Sequence, residues 1–155
     1  MTNPDLPADQ DEQLRLLRRS ETILRAVCYA GEQLLEADHW EEVIDGILQR
    51  LGRAAGADRA LLIHNRVDDR GQVHSSCRFE WASDGTPRVL EEPAMQDIRW
   101  QAVPQWADRL AGGRVVQGVA EELVPDERAA MSEYGLTAVL LAPILVAREW
   151  WGVIG

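Results

Sequence analysis

The last nineteen residues, Thr137 to Gly155, carry the densest apolar pattern of the chain and predict a β-hairpin. Ten mostly apolar residues precede a short polar break at 147–149, and a second apolar run then ends at Gly155. Such apolar density predicts central strands of a sheet. Pro143 has no N–H to donate to a neighbouring strand, so it predicts a bulge or a locally exposed edge.

The N-terminal part predicts a tail followed by one long helix. Residues 1–10 hold two prolines and two acids and predict a disordered tail. Residues 11–37 have helical spacing with two apolar seams, Leu14, Leu17, Leu24, Cys28 and Leu35 on one and Leu16, Ile23, Val27, Ala30 and Leu34 on the other. Two seams favour a signalling and dimerisation helix, with a homodimer formed through Leu16, Leu17, Ile23, Leu24 and Val27. The alternative is a helix with one wide apolar face packed on a sheet.

Residues 38–155 predict an α+β domain. A single apolar stripe from Trp40 to Ala55 predicts a helix that ends at Gly56. Alternating runs at 58–67 and 72–81 predict a hairpin, short helices are expected at 104–110 and 125–134, and a short strand at 114–117. Residues 88–99 have no strong period and fit a short strand followed by a loop. Strands joined mainly by hairpins predict an antiparallel sheet with helices packed on one face.

Composition and charge limit the partners and the cellular compartment that can be predicted for the protein. The net charge of −10 disfavours nucleic acid and anionic membranes as partners, because either would require a basic patch. No apolar run approaches the roughly 20 residues of a membrane span, and the N-terminus lacks the layout of a secretory signal. Two cysteines cannot form a disulfide framework. A reducing, cytoplasmic setting is predicted.

Several phrases of the chain resemble GAF domains, a family of small sensory modules in signalling proteins. They are GADRALLIHNRVDDRG at 56–71, VPQWADRLAGGRVVQG at 103–118, and the stretch from Asp126 to the closing WWGVIG. The resemblance implies a GAF/PAS-like antiparallel sheet of about six strands and often a ligand cavity. GAF domains normally continue past the last strand into a helix and an output domain, such as a histidine kinase or a cyclic-dinucleotide enzyme. We therefore expect a non-catalytic module truncated at its final strand, with any enzymatic activity in the missing output domain.

The candidate ligand-binding residues follow from this resemblance and from the tryptophan content. The chain contains six tryptophans and one phenylalanine. Trp81, Trp100 and Trp106 fall in the region where the family's pocket lies, and His64 and Cys77 are further candidates for ligand binding. The simpler interpretation is that the tryptophans fill the core. Arg99 and Arg114 could meet an anionic or carbonyl ligand, although solvated arginines are the simpler interpretation. No cofactor, metal or catalytic residue is predicted, and the ligand is an unknown small molecule.

Two alternative functions use the same fold. A small redox or hydrolytic enzyme would need a reactive thiol at Cys77 or Cys28 beside a histidine. A haem or metal sensor would use His64 or His74, although the three histidines have no metal-site spacing. Family signatures for covalent bilin attachment, for methionine-sulfoxide reduction and for cyclic-nucleotide binding are absent from the sequence.

Overall fold

The computed structural model describes residues 6–69 and 71–155. Its helices and strands, in chain order, are α1 Leu6–Glu36, α2 Ile44–Ala55, β1 Arg59–Val67, β2 Val73–Ala82, α3 Pro93–Gln96, α4 Pro104–Ala111, β3 Val116–Val119, α5 Pro125–Glu133, β4 Ala138–Val146 and β5 Glu149–Ile154. Short 3-10 turns lie at 40–42, 100–102 and 120–122. None of the described helices is long and apolar enough to cross a membrane.

The chain divides into two compact units. The first consists of the residues up to Arg59 together with Trp81–Thr86, and the second of Ala60–Glu80 together with Pro87–Gly155. The second unit holds most of the sheet and the helices α3, α4 and α5. It therefore contains four of the five predicted ligand-binding residues, while Trp81 belongs to the first unit.

The first unit is built from α1 and α2. Helix α1 begins at Leu6, inside the segment predicted to be disordered, of which residues 1–5 lie outside those described. Pro7 is compatible with this start because the first-turn N–H groups have no helical partner. The guanidinium of Arg50 lies 4.5 Å from the centre of the Tyr29 ring, which joins the two helices. Gly56 ends α2 as predicted, in a left-handed conformation with φ of 68°.

Helix α2 packs on a side of α1 that differs from the two apolar seams. Ala26 is 2% exposed and Tyr29 contacts α2, and these residues lie on a third side of the helix. By contrast Leu17, Leu24 and Leu35 are 67%, 63% and 89% exposed. The predicted seams are therefore available on the surface of the chain.

Within residues 6–69 and 71–155 the sheet has five strands, in the order β2-β1-β5-β4-β3. The pairs β1–β5, β5–β4 and β4–β3 are antiparallel, with Ile63 opposite Val153 and Leu140 opposite Gln117. This confirms the α+β class and corrects the expected count of about six strands. Residues 88–99 supply a single bridge, Ile98 to Ser75, because the N–H groups of Val89 and Leu90 donate to the Glu80 carboxylate and α3 follows at Pro93–Gln96.

The closing hairpin forms as predicted, with two local irregularities. Its turn consists of Ala147 and Arg148, which have φ of 51° and 70° although neither is glycine. A register shift between Ile144 and Leu145 places a bulge one residue beyond Pro143. The register of β3 ends at Leu141, so Pro143 lies beyond the part of β4 that β3 covers.

A buried carboxylate anchors the segment that follows β2. Glu80 is 4% exposed, and its two carboxylate oxygens share one hydrogen-bond donor, the backbone N–H of Val89, at 2.9 and 3.1 Å. The N–H of Leu90 donates to the same carboxylate at 2.9 Å. This arrangement holds the beginning of the 87–106 segment against the end of the strand.

Replacing Glu80 with glutamine is expected to lower the free energy of unfolding by about 1–2 kcal/mol. The amide keeps one acceptor oxygen but presents an NH₂ group to backbone donors that need an acceptor. Urea unfolding measures the change, with Glu91→Gln on the exposed surface as the matched control. Equal stability of the two variants would contradict the anchoring role.

Candidate functional site

A cavity of about 620 Å³ lies within the second unit. Strands β1 and β4 supply one side of it through alternating residues, Leu61 and Ile63 on β1 and Val139 and Leu141 on β4. Leu140, between the two β4 residues, points away and is 55% exposed. The alternation of the strands therefore selects which apolar side chains face the cavity.

The segment 93–106 forms the opposite wall. Pro93 and Pro104 each begin a short helix, where a missing N–H costs nothing. The turns between them direct a row of apolar side chains inward, each no more than 8% exposed: Met95, Ile98, Trp100, Val103 and Trp106. Helix α5 adds Ala130 and Met131 to the lining, and Leu136, three residues after the end of α5, adds a further apolar side chain.

The polar lining residues lie at the rim. They are Asp97, Arg99, Glu133 and Tyr134. Arg99 Nε lies 3.5 Å from an Asp97 carboxylate oxygen, and the two side chains are 79% and 59% exposed. Burial, followed by the charge of Glu133, raises the pKa of the Tyr134 hydroxyl above its ordinary value of 10.0, so this hydroxyl stays neutral at physiological pH.

A chain of buried hydrogen bonds connects the cavity wall to the closing hairpin. The Trp100 indole N–H donates to the Ser75 hydroxyl at 2.6 Å, and this hydroxyl donates to Asn65 Oδ1 at 2.7 Å. The Asn65 amide then donates to the backbone carbonyl of Trp150 at 3.2 Å, and the rings of Trp100 and Trp150 lie 5.5 Å apart. The chain joins a cavity-lining side chain to β1, β2 and β5.

The structure brings together two of the five predicted ligand-binding residues. Trp100 and Trp106 line the cavity. His64 follows Ile63 on β1 and so projects to the other face of the strand, where its ring lies 4.5 Å from that of Trp151. Cys77 belongs to the buried core, and its thiol donates to the Phe79 carbonyl at 3.4 Å. Trp81 is half-buried in the first unit.

The sequence patterns did not indicate the other residues that line the cavity or the buried polar residues next to it. Met95, Met131 and Tyr134 line the cavity from segments whose periodicity is weak. Ser75 and Asn65 are buried polar residues, 1% and 7% exposed, inside strands. Asparagine is depleted in strands, so its occurrence in the apolar run of β1 is the signal that could have indicated a buried polar network.

The alternative sites receive little support from the geometry. His74 lies 3.2 Å from an Asp68 oxygen and 4.0 Å from an Asp97 oxygen. No group of three or more side chains among residues 6–69 and 71–155 has the arrangement of a metal site. Cys77 is 1% exposed in an apolar cluster, which is the setting of a structural cysteine. Cys28 is exposed on α1.

Acidification is expected to destabilise the fold through His64. Burial, then the charges of Arg78 and Arg66, lower the pKa of its imidazole below the ordinary value of 6.5. The folded protein then binds fewer protons than the unfolded chain between that value and the lower folded pKa, so stability falls as the pH drops through this window. Above pH 6.5 the residue contributes no pH dependence.

Urea unfolding at about pH 5 and about pH 7.5 checks this expectation. His64→Gln should lose part of the acid sensitivity, whereas His39→Gln, at an exposed position, should keep it. An NMR titration that places the His64 pKa at or above 6.5 would contradict the prediction.

Comparison with known proteins defines the class of domain that this sheet and cavity form. Residues 39–155 match the GAF domain family. The chain therefore belongs to the GAF domain family, the class of sensory domain that its closing hairpin resembles. The chain is also 30% identical over 152 residues to the methanogenesis regulatory histidine kinase FilI of Methanothrix harundinacea (strain 6Ac). That alignment covers 97% of this chain and 17% of the length of the kinase.

Solved structures support the fold. The phycocyanobilin-bound GAF domain of a cyanobacterial phytochrome superimposes with a TM-score of 0.66 at 14% identity, covering 88% of this chain and 77% of that one. A phycoerythrobilin-bound GAF domain of a cyanobacterial phytochrome gives a TM-score of 0.60 at 14% identity, over 88% and 78% of the two chains. At these identities the likeness concerns the fold alone.

Proposed function

We propose that this GAF domain is the non-catalytic sensory module of a signalling protein and binds a small molecule in the cavity of the second unit. The observation that carries the proposal is the cavity itself, about 620 Å³ in volume and lined mainly by apolar and aromatic side chains. Sites of about 300–1,000 Å³ with this lining are typical of small-molecule binding. The bilins in the related GAF structures support the use of this fold for ligand binding.

The ligand is proposed to bind without a covalent bond. Among the described residues, none of the side chains that line the cavity is a cysteine. Cys77 is enclosed in the core cluster and Cys28 lies on α1 in the first unit. A covalently attached pigment therefore has no attachment point in the lining.

The hydrogen-bonded chain gives a physical route from ligand to output. A ligand that contacts Trp100 acts on the donor at one end of this chain, and the backbone of Trp150 in β5 lies at the other. The ligand can shift the equilibrium between two arrangements of β5 only by its difference in affinity for them. The similarity to a regulatory histidine kinase supports a kinase output in a two-component system.

Native mass spectrometry with a cavity-filling variant tests ligand binding. Ala102 lines the cavity and is exposed, so Ala102→Trp should obstruct the cavity without overpacking the core. We expect a retained small-molecule mass in the wild type, its loss in Ala102→Trp, and its retention in the control Ala111→Trp at the exposed end of α4. If the protein loses its ligand during purification, an aromatic probe is added, and the mass of the bound probe is measured instead. Wild-type protein that neither retains nor binds any such molecule would overturn the proposal.

A second proposed property is homodimerisation through α1. Leu16, Leu17, Ile23, Leu24 and Val27 are 37–67% exposed on the two seams, and a second copy of the same helix offers the same apolar spacing. Leu17→Glu combined with Leu24→Glu should convert the dimer to a monomer in sedimentation experiments. Arg18→Glu, on α1 outside both seams, should leave the dimer intact. A wild-type monomer at high concentration would overturn this proposal.

A further inference from the structure

The lining of the cavity restricts the chemistry of its ligand, beyond the proposal that a ligand binds. Its deep part consists of apolar and aromatic side chains, among them Met95, Trp100, Trp106 and Met131, each no more than 7% exposed. Moving a charged group from water into such surroundings is costly unless an opposite charge meets it. The interior therefore selects against ligands with a deeply placed ionic group.

The charged side chains at the rim of the cavity do not favour an anionic ligand either. The rim carries two carboxylates, Asp97 and Glu133, and one guanidinium, Arg99. Arg99 is already directed at Asp97, and its side chain is 79% exposed, so water screens its attraction for an anion. Tyr134 adds a neutral hydroxyl. The charged lining residues thus sum to one negative charge, which opposes a phosphate or a dicarboxylate.

One polar group in the wall has no hydrogen-bond partner in the described part of the chain. Trp106 is 6% exposed and lines the cavity, and no hydrogen bond from its indole N–H to any residue within 6–69 or 71–155 is present. The Trp100 indole N–H, by contrast, donates to Ser75. The N–H of Trp106 is not among the fully buried atoms without a partner, so it remains accessible to water. A hydrocarbon that covers it displaces water without replacing the hydrogen bond, so a ligand that offers an oxygen acceptor gains an advantage.

From these features we infer that the cavity takes an uncharged, mostly apolar molecule with at least one carbonyl or ether oxygen, held through the indole N–H of Trp106. This inference rests on the proposed function, since it names the ligand class of the same site. Engineered cavities of about 150 Å³ hold benzene, so 620 Å³ accommodates a molecule of several rings or an equivalent chain. Nucleotides and polycarboxylates are outside the class.

Three naphthalene probes of nearly equal size test the inference by isothermal titration calorimetry at neutral pH. The probes are 2-acetylnaphthalene, which is uncharged with a carbonyl, 2-ethylnaphthalene, which has no acceptor, and 2-naphthoate, which is anionic. We expect the ketone to bind about fivefold more tightly than the hydrocarbon, as one net hydrogen bond predicts, and at least about tenfold more tightly than the carboxylate.

Two variants test whether the tighter binding of the ketone depends on Trp106. Trp106→Phe should keep the binding of 2-ethylnaphthalene and remove the advantage of the ketone, whereas Trp40→Phe, in the first unit, should change neither. Circular dichroism confirms that each variant is folded. An equal ketone advantage in Trp106→Phe would overturn the role of the indole, and tighter binding of 2-naphthoate would overturn the ligand class while leaving the sensory proposal intact. No binding of any probe, with no retained mass in the native protein, would contradict the proposed function itself.

Discussion

Replacing Gly152 with alanine is expected to reduce the stability of the fold by more than about 3 kcal/mol. A Cβ at this position would overlap the backbone carbonyl oxygen of Ile63 on the neighbouring strand. Gly152 lies opposite His64 on β1 and opposite Ile144 on β4, so it is flanked by backbone on both sides. Because backbone atoms cannot rotate away as the end of a long side chain can, relief of the overlap requires separation of β1 from β5.

Urea unfolding of the purified variant measures this loss, together with its expression as soluble protein. Gly31→Ala is the matched control, because a Cβ at Gly31 meets no atom within 4 Å. The control should be more stable than the wild type by about 1 kcal/mol, since alanine favours a helix interior over glycine. A wild-type unfolding midpoint for Gly152→Ala would show that β5 does not approach β1 as closely as described.

The second large effect is expected at Ser75. Ser75→Val keeps the size of the side chain but removes the acceptor of the Trp100 N–H and the donor to Asn65 Oδ1. Each buried polar group left without a partner costs roughly 1–3 kcal/mol, so a loss of about 2–5 kcal/mol is predicted. Since the hydroxyl also links the cavity wall to the hairpin, a ligand of the cavity should exert less influence on β5 in the variant.

Two controls separate the hydrogen bonds from strand packing. Ser75→Thr retains the hydroxyl and should recover most of the stability, while Ser76→Val changes the other face of β2 and should cost little. Urea unfolding gives the stability, and hydrogen exchange of the Trp150 and Gly152 amides, with and without a bound probe, reports on the coupling. Unchanged stability in Ser75→Val, or equal coupling in all three variants, would contradict the role of the chain.

The positions of the main elements follow from local patterns in the sequence. The paired apolar runs around 147–149 predict the β4–β5 hairpin, and the single stripe ending at Gly56 predicts α2. These features depend on neighbours within a few residues, which is why periodicity and turn chemistry reveal them. Trp106 lies in the phrase at 103–118 that resembles the family, and both it and Trp100 line the cavity, while their role in ligand binding stays a prediction.

Residues 88–99 show where local patterns failed. Their weak period allowed a short strand, and the structure contains one helical turn and the single bridge between Ile98 and Ser75. His64 shows a second limit: the alternation of the strand places it on the face opposite Leu61 and Ile63, but the strand pattern alone does not decide which face borders the cavity. The register of β1 against β5 decides that face, and a register depends on contacts between residues about ninety positions apart.

The sequence by itself determined the family, the α+β class, the closing hairpin, the second helix and the two apolar seams of the first, whereas the exposure of those seams is known only from the tertiary structure. Only the tertiary structure decided which side chains enclose the cavity, and that Ser75, Asn65 and Trp150 form one hydrogen-bonded chain with Trp100. The physical reason is distance along the chain. Helix and strand patterns arise among neighbouring residues, whereas a cavity and a buried polar network need groups from β1, β2, the 93–106 segment and β5 to meet in space.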